Sequence, residues 1–179
     1  LATFLGIGFA LLISFLIEFL DNTLKTIDEV EKYNLSVLGI IPAIGKPTKN
    51  KKKWNGKLSI TDSSQNLKRR LITKEDPKSP ISEAYRSLRT SMLFSSPKEI
   101  KSILVSSAGP GEGKTTTVAN LAITYANLGK KTILVDTDLR RPVVHKVFNL
   151  DREPGVTNFL AGQTDDINSL VKKTEIENL

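Results

Sequence analysis

The dodecapeptide Ser106-Ser-Ala-Gly-Pro-Gly-Glu-Gly-Lys-Thr-Thr-Thr117 constrains this chain more than any other stretch. It follows a short apolar run, Ile103-Leu104-Val105, and opens a helical pattern from Lys114 to Leu128. Strand, glycine-rich loop and helix, in that order, are the context in which a backbone wraps a phosphate. Gly109, Gly111 and Gly113 are expected to take positive φ and to let the main chain approach a ligand closely. Such a curl points N–H groups inward, and the helix beginning near Lys114 adds the positive end of its dipole. The cradle then comprises Gly109, Pro110, Gly111, Glu112, Gly113, Lys114, Thr115 and Thr116. Lys114 is placed to reach β- and γ-phosphates, and the Thr115 hydroxyl to ligate Mg²⁺. The place six before the lysine, a glycine in the usual pattern, holds Ala108, a residue small enough for the same turn.

A second constellation lies downstream. Gly129 suits the cap of the helix, and Thr132-Ile-Leu-Val135 reads as a buried strand, parallel to the first through a right-handed crossover. It ends in Asp136-Thr-Asp138-Leu-Arg-Arg-Pro142. Acids at the carboxyl end of a parallel strand stand where such sheets bind ligands. Asp136 and Asp138 suit Mg²⁺, directly or through water, and either suits the proton of an attacking hydroxyl. The single histidine, His145, stands among Val143, Val144 and Val147 and reads as a packing residue. Val156 to Leu160, followed by Ala161-Gly162, reads as a short capped helix.

The N-terminal stretch differs in kind. Leu1 to Leu20 is interrupted only by Thr3, Ser14 and Glu18. About 20 helical residues reach about 30 Å, one hydrocarbon core, so residues 1–20 are expected to form a transmembrane helix. No basic start or small-residue cleavage site marks a signal peptide. Asp21 to Tyr33, with Leu24, Ile27 and Val30 at helical spacing, reads as a helix leaving the bilayer, and Ser36 to Pro42 as a short strand. Residues 21–78 are expected to be a juxtamembrane segment and basic linker. The net charge of +7 is concentrated there: Lys46 to Lys74 holds ten Lys or Arg against one acid, Asp62. Basic residues beside a membrane favour anionic lipid, and Trp54 suits an interface; with Lys25 and Lys32 they place the downstream part on the cytoplasmic side of the plasma membrane. A nucleic-acid partner is not expected, since one Trp among lysines is no stacking platform. The absence of Cys excludes disulfides and thiolate metal sites.

At Ser79-Pro80 a helix starts with a good cap and a good first residue. Ile81, Ala84, Tyr85, Leu88 and Met92 form its apolar stripe, while Glu83, Arg86 and Arg89 fall on another side at steps of three. On spacing alone that row is an exposed face with local ion pairs.

Together these segments resemble the bacterial tyrosine kinases of capsule and exopolysaccharide synthesis, fused to the end of a polysaccharide chain-length determinant. The apolar helix and Val37-Leu-Gly-Ile-Ile-Pro42 resemble the end of the determinant; Ser82-Glu-Ala-Tyr-Arg-Ser-Leu-Arg-Thr90 resembles the kinases' oligomerisation helix. Ser106–Thr117 and Ile133–Pro142 resemble their first and second nucleotide motifs. The resemblance implies an α/β fold: a P-loop NTPase-type parallel sheet with flanking helices, incomplete here, preceded by one transmembrane helix. Residues 79–179 would be the N-terminal part of the kinase domain. It further implies Mg·ATP-dependent transfer to tyrosine, with Lys114, Asp136 and Asp138 catalytic. Glu83, Arg86 and Arg89 become subunit contacts in a ring whose members phosphorylate one another's tyrosine tails, coupled to polysaccharide polymerisation and export. The third nucleotide motif and the tyrosine-rich tail would lie beyond Leu179, and the external domain before Leu1, so this piece is expected to be inactive alone. The Min/Par-type ATPases share the fold but carry an early lysine in the loop, where this chain has Gly109 followed by Pro110. A chain-length regulator that uses its nucleotide only structurally is the other alternative.

Overall fold

The computed structural model describes residues 2–20, 26–43 and 71–179. The expectations for Lys25, the Lys46–Lys57 run, Trp54 and the basic residues up to Arg70 lie outside the described residues. The chain divides into two units, Leu1–Val37 and Leu38–Leu179.

In the first unit, α1 covers Ala2–Leu20 and α2 covers Ile27–Glu31. Apolar side chains project outward around α1, with Phe4 83%, Phe15 74% and Phe19 73% exposed. Phe15 and Phe19, one turn apart, stack with ring centroids 6.4 Å from each other. The complete span expected over residues 1–20 is not established: among the described residues no helix is long and apolar enough to cross a membrane. Glu18 places a charge in the last turn of α1.

The second unit is organised around helices. α3 covers Ile72–Glu75, α4 Pro80–Phe94, α5 Lys114–Ala126, α6 Val144–Val147 and α7 Val156–Leu160, followed by a 3₁₀ turn at Ile167–Leu170. α4 begins where the sequence requires: the Ser79 hydroxyl accepts the Ser82 N–H at 3.1 Å, and Pro80 follows. α5 ends through Gly129 at φ 82, with Gly129 N–H donating to the Ala126 carbonyl and Lys130 N–H to that of Tyr125.

α3, α4 and α5 pack on one another. Leu71, Ala119, Ile123, Val147 and Phe148 form the core, joined by Leu134, Val143, Val144, Leu150, Ile176 and Leu179. Burial on α5 is not confined to one apolar stripe. Leu121 and Ala122 are buried, but so are Ala119, Asn120, Ile123, Thr124 and Ala126, while Leu128 is 50% exposed. A helix covered by neighbours on more than one side buries more than one stripe.

The expected strands are also corrected. Among the described residues none of 36–42, 103–105 or 132–135 forms a strand. Burial still alternates residue by residue through 102–110 and 131–139, the period of extended backbone. A strand needs a ladder partner as well as that period. Thr132 N–H does find the Asn178 carbonyl at 2.8 Å. Leu104 and Ile133 nevertheless stand 86% and 71% exposed, where buried strand residues were expected.

Candidate functional site

Two of the three loop glycines adopt the conformation the sequence demanded. Gly111 lies at φ 82 and Gly113 at φ 94, and among the described residues no atom beyond the chain neighbours stands within 4 Å of where a Cβ would project from either. Gly109 is the exception: its φ is not positive, and its lack of a side chain serves instead to admit the Glu112 carboxylate, whose Oε1 would lie 3.1 Å from a Cβ. The Ser107 hydroxyl donates to the Gly109 carbonyl at 2.8 Å and shapes the entry to the turn.

Gly113 is the N-cap of α5, and no side chain caps that end. Thr117 N–H bonds back to the Gly113 carbonyl at 2.8 Å. The N–H groups of Lys114, Thr115 and Thr116 precede it and have no acceptor within the helix. Together with the positive end of the helix dipole they leave donors available at this end, an arrangement that fits an anion such as a nucleotide phosphate. Lys114, Thr115 and Thr116 are half-buried at this end. Mg²⁺ held by a threonine hydroxyl and phosphate oxygens needs no dedicated cage; among the described residues no group of three or more His, Asp or Glu could hold a metal.

The acidic pair occupies its own turn. Asp136 Oδ1 accepts the Asp138 N–H at 3.1 Å, and its Oδ2 accepts those of Val143 and Val144 at 3.0 and 3.1 Å. Its carboxylate thereby fastens the start of α6. Asp138 Oδ1 accepts one N–H, from Arg141 at 3.0 Å. Asp138 is thus the less committed of the two. No hydrogen bond or ion pair joins either acid to residues 109–116 among the described residues.

Glu83, Arg86 and Arg89 engage different partners within this chain. Glu83 and Arg86 pair within α4, and Arg86 also donates to the Pro77 carbonyl at 2.7 Å. Arg89 turns inward and donates to the Thr124 carbonyl, in the last turn of α5, at 2.6 Å. Its charge opposes the rise that burial causes in the Tyr125 phenol pKa. Arg89 Nε and the Tyr125 hydroxyl are buried without a partner among the described residues.

Sequence reasoning missed the polar groups behind the loop. Asn120 and Ser82 are fully buried, and Thr73 is 3% exposed. Asn120 Oδ1 accepts the Thr73 N–H at 3.0 Å and its hydroxyl at 2.8 Å, while Asn120 Nδ2 donates to the Thr116 carbonyl at 2.8 Å. Asn120 interrupts the apolar positions of α5, and that interruption was the available signal.

Residues 100–179 match the family model described as an AAA domain. The tyrosine-protein kinase YwqD of Bacillus subtilis (strain 168) is 47% identical over 95 residues, covering 52% of this chain and 40% of that one. The putative tyrosine-protein kinase CapB of Staphylococcus aureus is 40% identical over 110 residues, covering 61% and 48%. The chain is a relative of the bacterial tyrosine kinases. A crystal structure of the chimerical protein CapA2B2 superposes with a TM-score of 0.65 at 36% identity, over 86% of this chain and 57% of that one. The two chains therefore share a fold over that stretch. The chain spans about half or less of the length of these curated relatives.

Proposed function

We propose that this chain contributes the nucleotide-binding half of an ATP-dependent protein-tyrosine kinase that regulates capsular or extracellular polysaccharide polymerisation and export. The observation that carries the reading is the open cradle at Gly111 and Gly113, set against the uncapped N-terminus of α5 with Lys114, Thr115 and Thr116 in its first turn. Main-chain N–H groups and Lys114 would hold the phosphates there, and Thr115 would help hold Mg²⁺, which when bound would supply charge neutralisation. Asp136 fixes the turn that presents Asp138, and it adds a metal contact through its remaining lone pairs or a bridging water. Asp138, with one carboxylate oxygen outside the turn's hydrogen bonds, aligns the tyrosine hydroxyl and takes its proton.

The acceptor tyrosines belong to tails of neighbouring subunits in a ring, to which the Glu83 and Arg86 side of α4 contributes. The exposed apolar surface of α1 supports anchoring in the plasma membrane, with the kinase unit on the cytoplasmic side. The test is transfer of labelled phosphate from Mg·ATP to tyrosine by the full-length protein. Wild type should label itself, while Lys114→Met and Asp138→Asn should lose at least about a hundredfold of the rate. Bound nucleotide without tyrosine labelling would favour a non-catalytic chain-length regulator. Phosphate release in its place would favour a Min/Par-type ATPase.

A further inference from the structure

The first turn of α5 is held from behind by a buried polar clamp that none of the nucleotide motifs includes. Thr73 lies 47 residues before Asn120, and both its N–H and its hydroxyl end on one oxygen, Asn120 Oδ1. The other end of the same amide reaches the Thr116 carbonyl. Thr116 belongs to the cradle, so the clamp ends one peptide unit from the N–H groups that face the phosphates.

We propose that Asn120 is a positioning residue for the nucleotide loop, and that Thr73 anchors it. The inference rests on the reading of residues 109–116 as the cradle. A planar amide gripped at both ends has one allowed orientation, and it fixes the Thr116 peptide plane in that frame. With the Thr73 hydroxyl removed, Asn120 Oδ1 keeps the residue-73 N–H but loses its side-chain donor, the amide is held less tightly, and Thr116 shifts with it. Phosphate grip depends on several N–H groups converging on one point, so a small displacement there is felt as lost affinity. The clamp also joins the nucleotide loop to α3, the first described element after residue 70.

The experiment titrates the full-length protein with a fluorescent ATP analogue and Mg²⁺, below the unfolding midpoint of every variant, and measures that midpoint separately. Thr73→Val keeps the shape and removes the hydroxyl; Thr73→Ser keeps the hydroxyl; Asn120→Ala removes the amide. Leu150→Ala, in the core away from the loop, serves as the control for lost stability. Thr73→Val and Asn120→Ala should weaken nucleotide binding about tenfold, the scale of one buried hydrogen bond. Thr73→Ser should stay within about twofold of wild type, because its hydrogen bond survives. Leu150→Ala should lower the midpoint and leave affinity unchanged. If Asn120→Ala fails to fold, the Thr73 pair carries the test. The inference is overturned if Thr73→Val behaves like Leu150→Ala, losing stability but not affinity, or if Thr73→Ser loses as much affinity as Thr73→Val. Failure of the unaltered protein to bind the analogue overturns the cradle reading itself, and this inference with it.

Discussion

Gly113 at φ 94 holds the residue position least tolerant of a side chain on the loop, although the space around it is open. A non-glycine residue in the left-handed region is strained by about 1–2 kcal/mol. Gly113→Ala should lower the unfolding free energy by that amount in a urea titration, and it should abolish binding of Mg·ATP, because relief of the strain unwinds the cradle. Unchanged affinity would mean the positive φ is incidental to the site. Tyr85 supports a prediction about pH. Burial raises its phenol above the ordinary value of 10.0, and the Thr117 hydrogen bond opposes that rise only in part. The fold therefore favours the neutral phenol while the unfolded chain ionises. Stability from this group is complete below about pH 10 and is lost as the pH climbs through the folded pKa. Thermal midpoints between about pH 9 and about pH 11 should fall less steeply in Tyr85→Phe than in wild type. Parallel curves would remove Tyr85 from the alkaline transition.

α4 is the element whose three charged residues the sequence grouped and the fold separated. Arg89 crosses to the negative end of the α5 dipole, where its guanidinium meets a carbonyl of nearly buried Thr124. Glu83 and Arg86 form an exposed pair three residues apart, with side chains 63% and 37% exposed. Solvent and salt screen such a pair, which contributes at most about 0.5 kcal/mol. Urea unfolding at a protein concentration low enough to keep subunits apart should therefore show Arg89→Ala losing about 1–3 kcal/mol. Glu83→Ala and Arg86→Ala should stay within about 0.5 kcal/mol of wild type. Equal losses from all three would restore the reading of the row as one surface. Oligomer loss in Arg89→Ala would follow first from a displaced α4, so only Glu83 and Arg86 variants test the proposed ring contact cleanly.

At the scale of the whole molecule, apolar surface is distributed unevenly. α1 shows nearly all of its apolar side chains to its surroundings, and Leu104, Ile133 and Val135 stand open in the kinase-like unit. Each fully buried side chain of that size is worth about 1.5–3 kcal/mol relative to exposure in water, so α1 has a strong drive toward an apolar phase. Expressed from residue 21 onward, without any preceding segment, the protein should move from the membrane pellet, where the full-length form is expected, to the supernatant after cell fractionation. Persistence in the pellet at high salt would assign the attachment elsewhere. Retention that salt abolishes would assign it to the basic residues between Lys46 and Arg70.

The amino-acid sequence alone determined the features that depend on neighbours along the chain. The left-handed glycines at 111 and 113, the Ser79-Pro80 helix start, the Gly129 stop and the order of the nucleotide motifs are all local. Each is dictated by sterics or by a hydrogen bond spanning a few residues. Tertiary structure decided what joins distant residues: Asn120 to Thr73 across 47 positions, and Arg89 to Thr124 across 35. It also showed that Asp136 spends its carboxylate on three N–H groups of its own turn. A periodic pattern says that a side chain is buried or exposed, but not which partner receives its polar atoms. The strand patterns at 103–105 and 132–135 make the same point: alternation is written in the sequence, whereas a ladder requires a second backbone to supply the other half of every hydrogen bond.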